Sequence, residues 1–189
     1  MAVVQLASAE DVEAVLGRDL TTEEAVRVEP VLDKASELFR RVSGQDFTAG
    51  TSTVRLKVNG GQVYLTQRPV VSVELVTDDD GTELGFDLFG QWLTVDRVSH
   101  QFVRVSYSHG GEVPDLVRLT VAEVAKKVLS IDPNAASGVI QHQDTAGPFS
   151  RNDTYATWAQ GGQTMLAPAD LEIAQSFRVR VPAVWVMRP

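Results

Sequence analysis

Histidine, aspartate and serine are the residue types in this chain that chemistry would draw on, and their spacing limits what they can do. The three histidines, His100, His109 and His142, stand far apart, and none has a second ligand three or four positions on, the spacing that lets one helix face hold a metal. His109 is distinguished by its neighbours: Ser106 and Ser108 precede it and Gly110-Gly111 follow. A serine–histidine pair is thus close in sequence, but no third group that would orient the imidazole stands beside it. The plainer use of His109 is a ring that hydrogen-bonds backbone and fixes a turn. Asp78-Asp79-Asp80-Gly81 offers carboxylates for calcium, yet the alternating acidic positions and the closing glutamate of a helix-loop-helix site are missing, so it reads as a solvated β-turn. Asn59-Gly60-Gly61 and His109-Gly110-Gly111 lack the lysine and spacing of a phosphate-cradling loop. The carboxylates Glu23, Glu24, Glu29, Asp33 and Glu37 fall where a solvated helix face and an N-terminal dipole place them. No catalytic residue, cofactor or metal ligand is assigned, and the expectation is a protein that is not an enzyme.

The bulk composition agrees. At 189 residues, 43% apolar and 22% charged, the chain can bury one sizeable core with an appendage. Seventeen basic and 25 acidic residues leave a formal charge of −8, which argues against wrapping a polyanion but not against letting one slide past. With no cysteine, disulfides and thiolate chemistry are excluded. The first residues lack the basic and uninterrupted apolar regions of a signal peptide, and no run of about 18 apolar residues occurs. A product made in the cytoplasm, with no membrane partner, is expected.

Three kinds of element must position these residues. Ser8 with Asp11, then Val12, Val15 and Leu16, and Gly17 as a stop, predict a short first helix. Thr21 with Glu24 repeats the capping pattern, and Val28, Val31, Leu32, Ala35, Leu38, Phe39 and Val42 share one face up to Gly44. Pro30 inside that pattern predicts a kink or a late start. From Thr53 the period becomes two: Val54, Leu56 and Val58 lead through Asn59-Gly60-Gly61 to Val63-Tyr64-Leu65, read as a hairpin. Val70–Val76, Phe86–Val95 with Gly90 as bulge or turn, and Phe102–Tyr107 supply further strands. A third helix runs from Pro114 to about Ile131, with Val117, Val121, Val124 and Val128 on a stripe beside Leu116, Ala125 and Leu129.

Residues 132–164 have no sustained period and only scattered aromatics such as Phe149, Tyr155 and Trp158; Trp158 and Trp185 read as pocket anchors or core residues. Pro168 opens a short helix reaching Phe177. Beyond it Arg178, Arg180 and Arg188 alternate with apolar residues around Val184 and Trp185, which suits either a strand added to a partner's sheet or a final strand of the chain's own. The expected fold is α+β: a small bundle of about three main helices with an antiparallel β element at about 51–107, making a core of 1–131, and an extended C-terminal arm of 132–189.

Three stretches carry a family resemblance. Tyr107, His109, Gly110, Val113 and Pro114, together with LTTEE at Leu20–Glu24 and SGQDF at Ser43–Phe47, resemble the head-to-tail adaptor (connector) proteins of long-tailed bacteriophages over residues 6–131, with GPFS at Gly147–Ser150 extending the likeness. The chain departs from that pattern at Pro30 and in a larger insertion between Thr51 and Val105. What the resemblance implies is a structural protein of the virion neck, repeated in a homo-oligomeric ring that is commonly twelvefold, with genomic DNA passing through the lumen without sequence-specific contact. It implies a portal protein as one partner, met by Phe177, Arg178, Arg180, Val184, Trp185 and Arg188. A tail-side stopper or neck protein is the other, with Asn59, Gly60, Asp79 and Asp80 as contact candidates. It gives His109, Gly110 and Pro114 a structural role in a turn. The competing readings are a small cytoplasmic enzyme or ligand-binding domain with a pocket near His109 and Trp92, and a different neck protein such as a tail terminator.

Overall fold

The computed structural model of the chain describes residues 4–96, 101–131, 141–146, 149–154 and 164–179. Its contacts divide the chain into two units: the first takes Met1–Val42 and Pro114–Ser176, the second Ser43–Val113 and Phe177–Pro189. Among the described residues there are four helices and three small antiparallel sheets, an α+β fold.

The first unit is helical. α1 (Ala9–Leu16) starts at a complete capping box between Ser8 and Asp11 and ends at Gly17, whose φ of 71° is the left-handed stop the sequence anticipates. α2 (Thr22–Ser43) buries Val28, Leu32, Ala35 and Phe39. It starts before Pro30, so the late start is not adopted. Pro30 and Val26 are both exposed, on the side where water can serve the Val26 carbonyl that loses its donor. α3 (Asp115–Leu129) follows Pro114 and buries Val117, Val121, Val124, Ala125 and Val128 as expected, whereas Leu116 faces outward at 51% exposure. Arg118 ties α3 to the capping carboxylate of Asp11, and Lys126 donates to the Val15 carbonyl at 3.0 Å, so α3 holds both ends of α1. Burial opposes ionisation of Asp11, but hydrogen bonds from Ser8 and then Arg118 outweigh it and hold the carboxyl below its ordinary value.

α4 (Pro168–Ser176) is the short helix expected after Ala167. It packs back on α3: the buried Asp170 accepts Lys127 Nζ at 2.9 and 3.1 Å and the Ala167 N–H at 3.0 Å, and Ala174 is fully buried. Strands β7 (Gln141–Ala146) and β8 (Phe149–Thr154) pair as a hairpin. The described parts of 132–179 thus include a hairpin and a helix. The hairpin is invisible to pattern reading because QHQDTA carries no alternating apolar face. Arg180, Val184, Trp185 and Arg188 lie outside the described residues, as do His100, Tyr155 and Trp158.

The second unit is built on two three-stranded sheets. β6 (Phe102–His109) is the middle strand of the first, flanked by β1 (Gly50–Lys57) and β3 (Val70–Thr77). β5 (Trp92–Val95) is the middle strand of the second, between β2 (Gln62–Tyr64) and β4 (Phe86–Phe89), with Gly90 in the β4–β5 turn. The expected hairpin from β1 to β2 does not form. Gly60 and Gly61 make the tight turn, at φ 60° and 83°, but only Asn59 and Gln62 pair across it. β1 then pairs with β6 and β2 with β5, because the turn fixes local geometry while the partner is chosen by distant apolar faces. Val63, Leu65, Val76, Leu84, Leu93, Val95, Val103, Val105 and Tyr107 close a single core.

The start of α2 gives a direct test. Glu24 accepts from both terminal nitrogens, Nη1 and Nη2, of the Arg18 guanidinium at 2.8 Å and from the Thr21 N–H at 2.9 Å, and these bonds, Arg18 first, lower its carboxyl from 4.5 to about 2. A carboxyl lowered in the folded state contributes fully above about pH 4.5, and that contribution is lost as the pH falls toward 2. Thr21→Ala should cost about 1 kcal/mol in urea unfolding at neutral pH. Glu24→Gln should destabilise at neutral pH, with the gap to the parent closing steadily between pH 4.5 and 2.

Candidate functional site

β6 alternates sides, so its two faces do different work. Val103, Val105, Tyr107 and His109 turn inward, while Arg104, Ser106 and Ser108 turn outward. Ser106 and Ser108 therefore stand on the opposite face from His109. They bond instead to Thr53 (2.8 Å), Ser72 (2.6 Å) and Glu74 (2.8 Å) along the outer face. The serine that meets His109 is Ser52, whose Oγ lies 2.8 Å from Nε2. It is 57 positions away in sequence, and only its place on the same β1 side as Val54 and Leu56 would have pointed to it. Nδ1 of this buried ring has no hydrogen-bond partner among the described residues, so the pair lacks the group that orients a catalytic imidazole.

Two other segments, Ser43–Phe47 and Tyr107–Gly110, instead converge on one loop, Thr66–Pro69. From one side, Gln45 donates Nε2 to the Thr66 carbonyl at 2.7 Å and accepts the Arg68 N–H at 2.9 Å, while Gln67 Oε1 accepts the Asp46 N–H at 2.8 Å and Gln67 Nε2 reaches the Gly44 carbonyl at 3.2 Å. From the other, the Tyr107 hydroxyl accepts the Gln67 N–H at 3.0 Å and meets Thr66 Oγ1 at 3.1 Å, and the Gly110 N–H bonds the Pro69 carbonyl at 2.9 Å. Gly110 has φ 78°, and a Cβ there would collide with the Thr48 carbonyl. Tyr107, His109, Gly110 and Pro114 thus act as a strand end, a packed ring, a close approach and a helix start.

The tail-side candidates are brought together. β1 and β3 both run antiparallel to β6, so their C-terminal ends, Lys57 and Thr77, lie at the Phe102 end of the sheet, and the turns at Asn59–Gly61 and Asp78–Gly81 follow from there. Within them, Asp78 Oδ1 accepts the Asp80 and Thr82 N–H groups at 3.0 and 2.7 Å, and Asp79 takes a two-point bond from Arg55 at 2.7 Å. Asp80 is exposed. Of the portal-side candidates, Phe177 packs edge-on against Phe47 with centroids 5.3 Å apart, and Arg178 is exposed. Trp92 stacks on Phe89 at 4.8 Å.

No family model matches the chain, and no curated protein matches it. Among solved structures it is similar to a chain from the neck of a native GTA particle computed with C12 symmetry, at a TM-score of 0.45 and 12% identity, over 97% of this chain and 99% of that one. A likeness this loose leaves the reading to the chain's own residues.

If the Thr66–Pro69 clamp is the purpose of the Tyr107 and Gly110 positions, Tyr107→Phe should cost about 1 kcal/mol by removing the partner of the half-buried Gln67 N–H. Gly110→Ala should cost more, since strain and collision act together. Calorimetric melting of the two variants reads both.

Proposed function

We propose that the chain is a structural subunit of a phage-type neck, a head-to-tail adaptor that forms a ring between a portal protein and a tail-side neck protein and lets genomic DNA pass. The observation that carries this reading is the joint clamp on Thr66–Pro69: of the segments that resemble adaptor proteins, Ser43–Phe47 and Tyr107–Pro114 meet there and Leu20–Glu24 starts α2, so all serve structure. Residues selected for chemistry would converge on a substrate position; these converge on backbone polar groups. The net charge of −8 suits a wall past which a polyanion slides.

On this reading the residues from Phe177 onward meet the portal, with Phe177, Arg178, Arg180, Val184, Trp185 and Arg188 as anchors, and the turn pair carrying Asn59, Gly60, Asp79 and Asp80 meets the tail side. A chain ending at Val179 keeps α4 and Phe177. It should melt within a few degrees of the full chain and yet fail to join a portal ring in co-sedimentation. Normal joining by that shortened chain would refute the portal assignment. The Ser52–His109 contact is the observation on the side of a small enzyme or ligand-binding domain; that reading requires His109→Ala to lose a ligand-induced rise in Tm while keeping the fold.

A further inference from the structure

Two rows of like charge stand on this chain with little to balance them. On α2, Glu29, Asp33 and Glu37 follow one another at i, i+4 and i+8, a spacing at which carboxylates repel. The amide of Gln5 bridges the first two at 2.6 and 3.0 Å, and the nearest ammonium is Lys34, 3.9 Å from Glu37. On the outer face of the first sheet, Arg55 and Arg104 are directly opposed across β1 and β6, and Lys57 follows beside Phe102. Like charges in that position also destabilise. Asp79 balances Arg55, whose guanidinium lies 4.0 Å over the Phe102 ring, but neither Arg104 nor Lys57 has a carboxylate partner among the described residues. The charge is divided unevenly between the units. The first carries 16 acidic and 9 basic residues, net −7, and the second 9 acidic and 8 basic, net −1.

We infer that the Lys57–Arg104 corner of the sheet is a docking surface for the α2 acidic row of a second copy of this chain. Charge complementarity names the occupant: one chain carries both halves of an opposite-signed pair, one on α2 and one on the sheet, as a heterologous contact between copies requires. Nucleic acid is the lesser candidate, because three cations on a protein of net charge −8 are few against a phosphate backbone. The contact deepens the proposed function by naming where neighbours in the ring touch, and it rests on that reading.

The experiment uses four full-length chains: the parent, K57E/R104E, E29K/E37K and the chain with all four substitutions, each checked by thermal melting for an unchanged fold. Mixed with a portal ring and followed by native mass spectrometry, each double variant should need about tenfold more protein to reach the full copy number, and the quadruple variant should recover it. Double variants that assemble like the parent, or a quadruple variant that does not recover, overturn the inference. So does loss of DNA retention without loss of assembly, which assigns the corner to nucleic acid. If the parent itself ignores the portal, it is the proposed function that fails. The docking surface is then decided by self-association in sedimentation, where the same loss and recovery are required.

Discussion

Four residues without regular structure, Thr66–Pro69, set the terms for the rest of the β unit. Thr66 and Pro69 are exposed and Gln67 and Arg68 half-buried, yet the loop's polar groups are taken up by partners from far along the chain, Gln45 and Gly44 before it and Tyr107 and Gly110 after it. Two requirements follow. The chain leaving α2 must pass the loop on one side, and β6 must end on the other with a hydroxyl and then a residue lacking Cβ. Gln45, Tyr107 and Gly110 stand at those places, and each answers a folding requirement.

How much of this was legible in sequence depended on range. Both capping boxes, the Gly17 stop, the buried stripe of α3 and the period-two faces of β1 and β6 were readable, because each is a local rule of spacing. The β1–β2 pairing was not, since Gly60-Gly61 specifies a turn and is silent on which strand lies alongside. Ser52 was missed for the same reason: parity along β1 sets its face, but only the register with β6 puts it opposite Tyr107 and next to His109. The hairpin at 141–154 had no apolar pattern to betray it. α4 was legible as a helix, but its docking rests on a lysine and an aspartate 43 positions apart.

The outer face of the first sheet shows how polar residues can be ordered without building a site. Thr53, Ser72, Glu74, Ser106 and Ser108 bond one another in a band across three strands, and the charged corner beyond it is the part of that face with donors to spare. Hydroxyls committed to each other resist recruitment by a ligand, whereas unpaired cations attract whatever acid comes near.

α4 has only nine residues, fewer than an isolated helix needs to persist in water, so it survives through its buried carboxylate and Ala174. Pulled away from α3, it would also unwind. A helical residue advances the chain by about 1.5 Å and an extended one by about 3.3 Å, so unwinding pays out roughly 16 Å of tether.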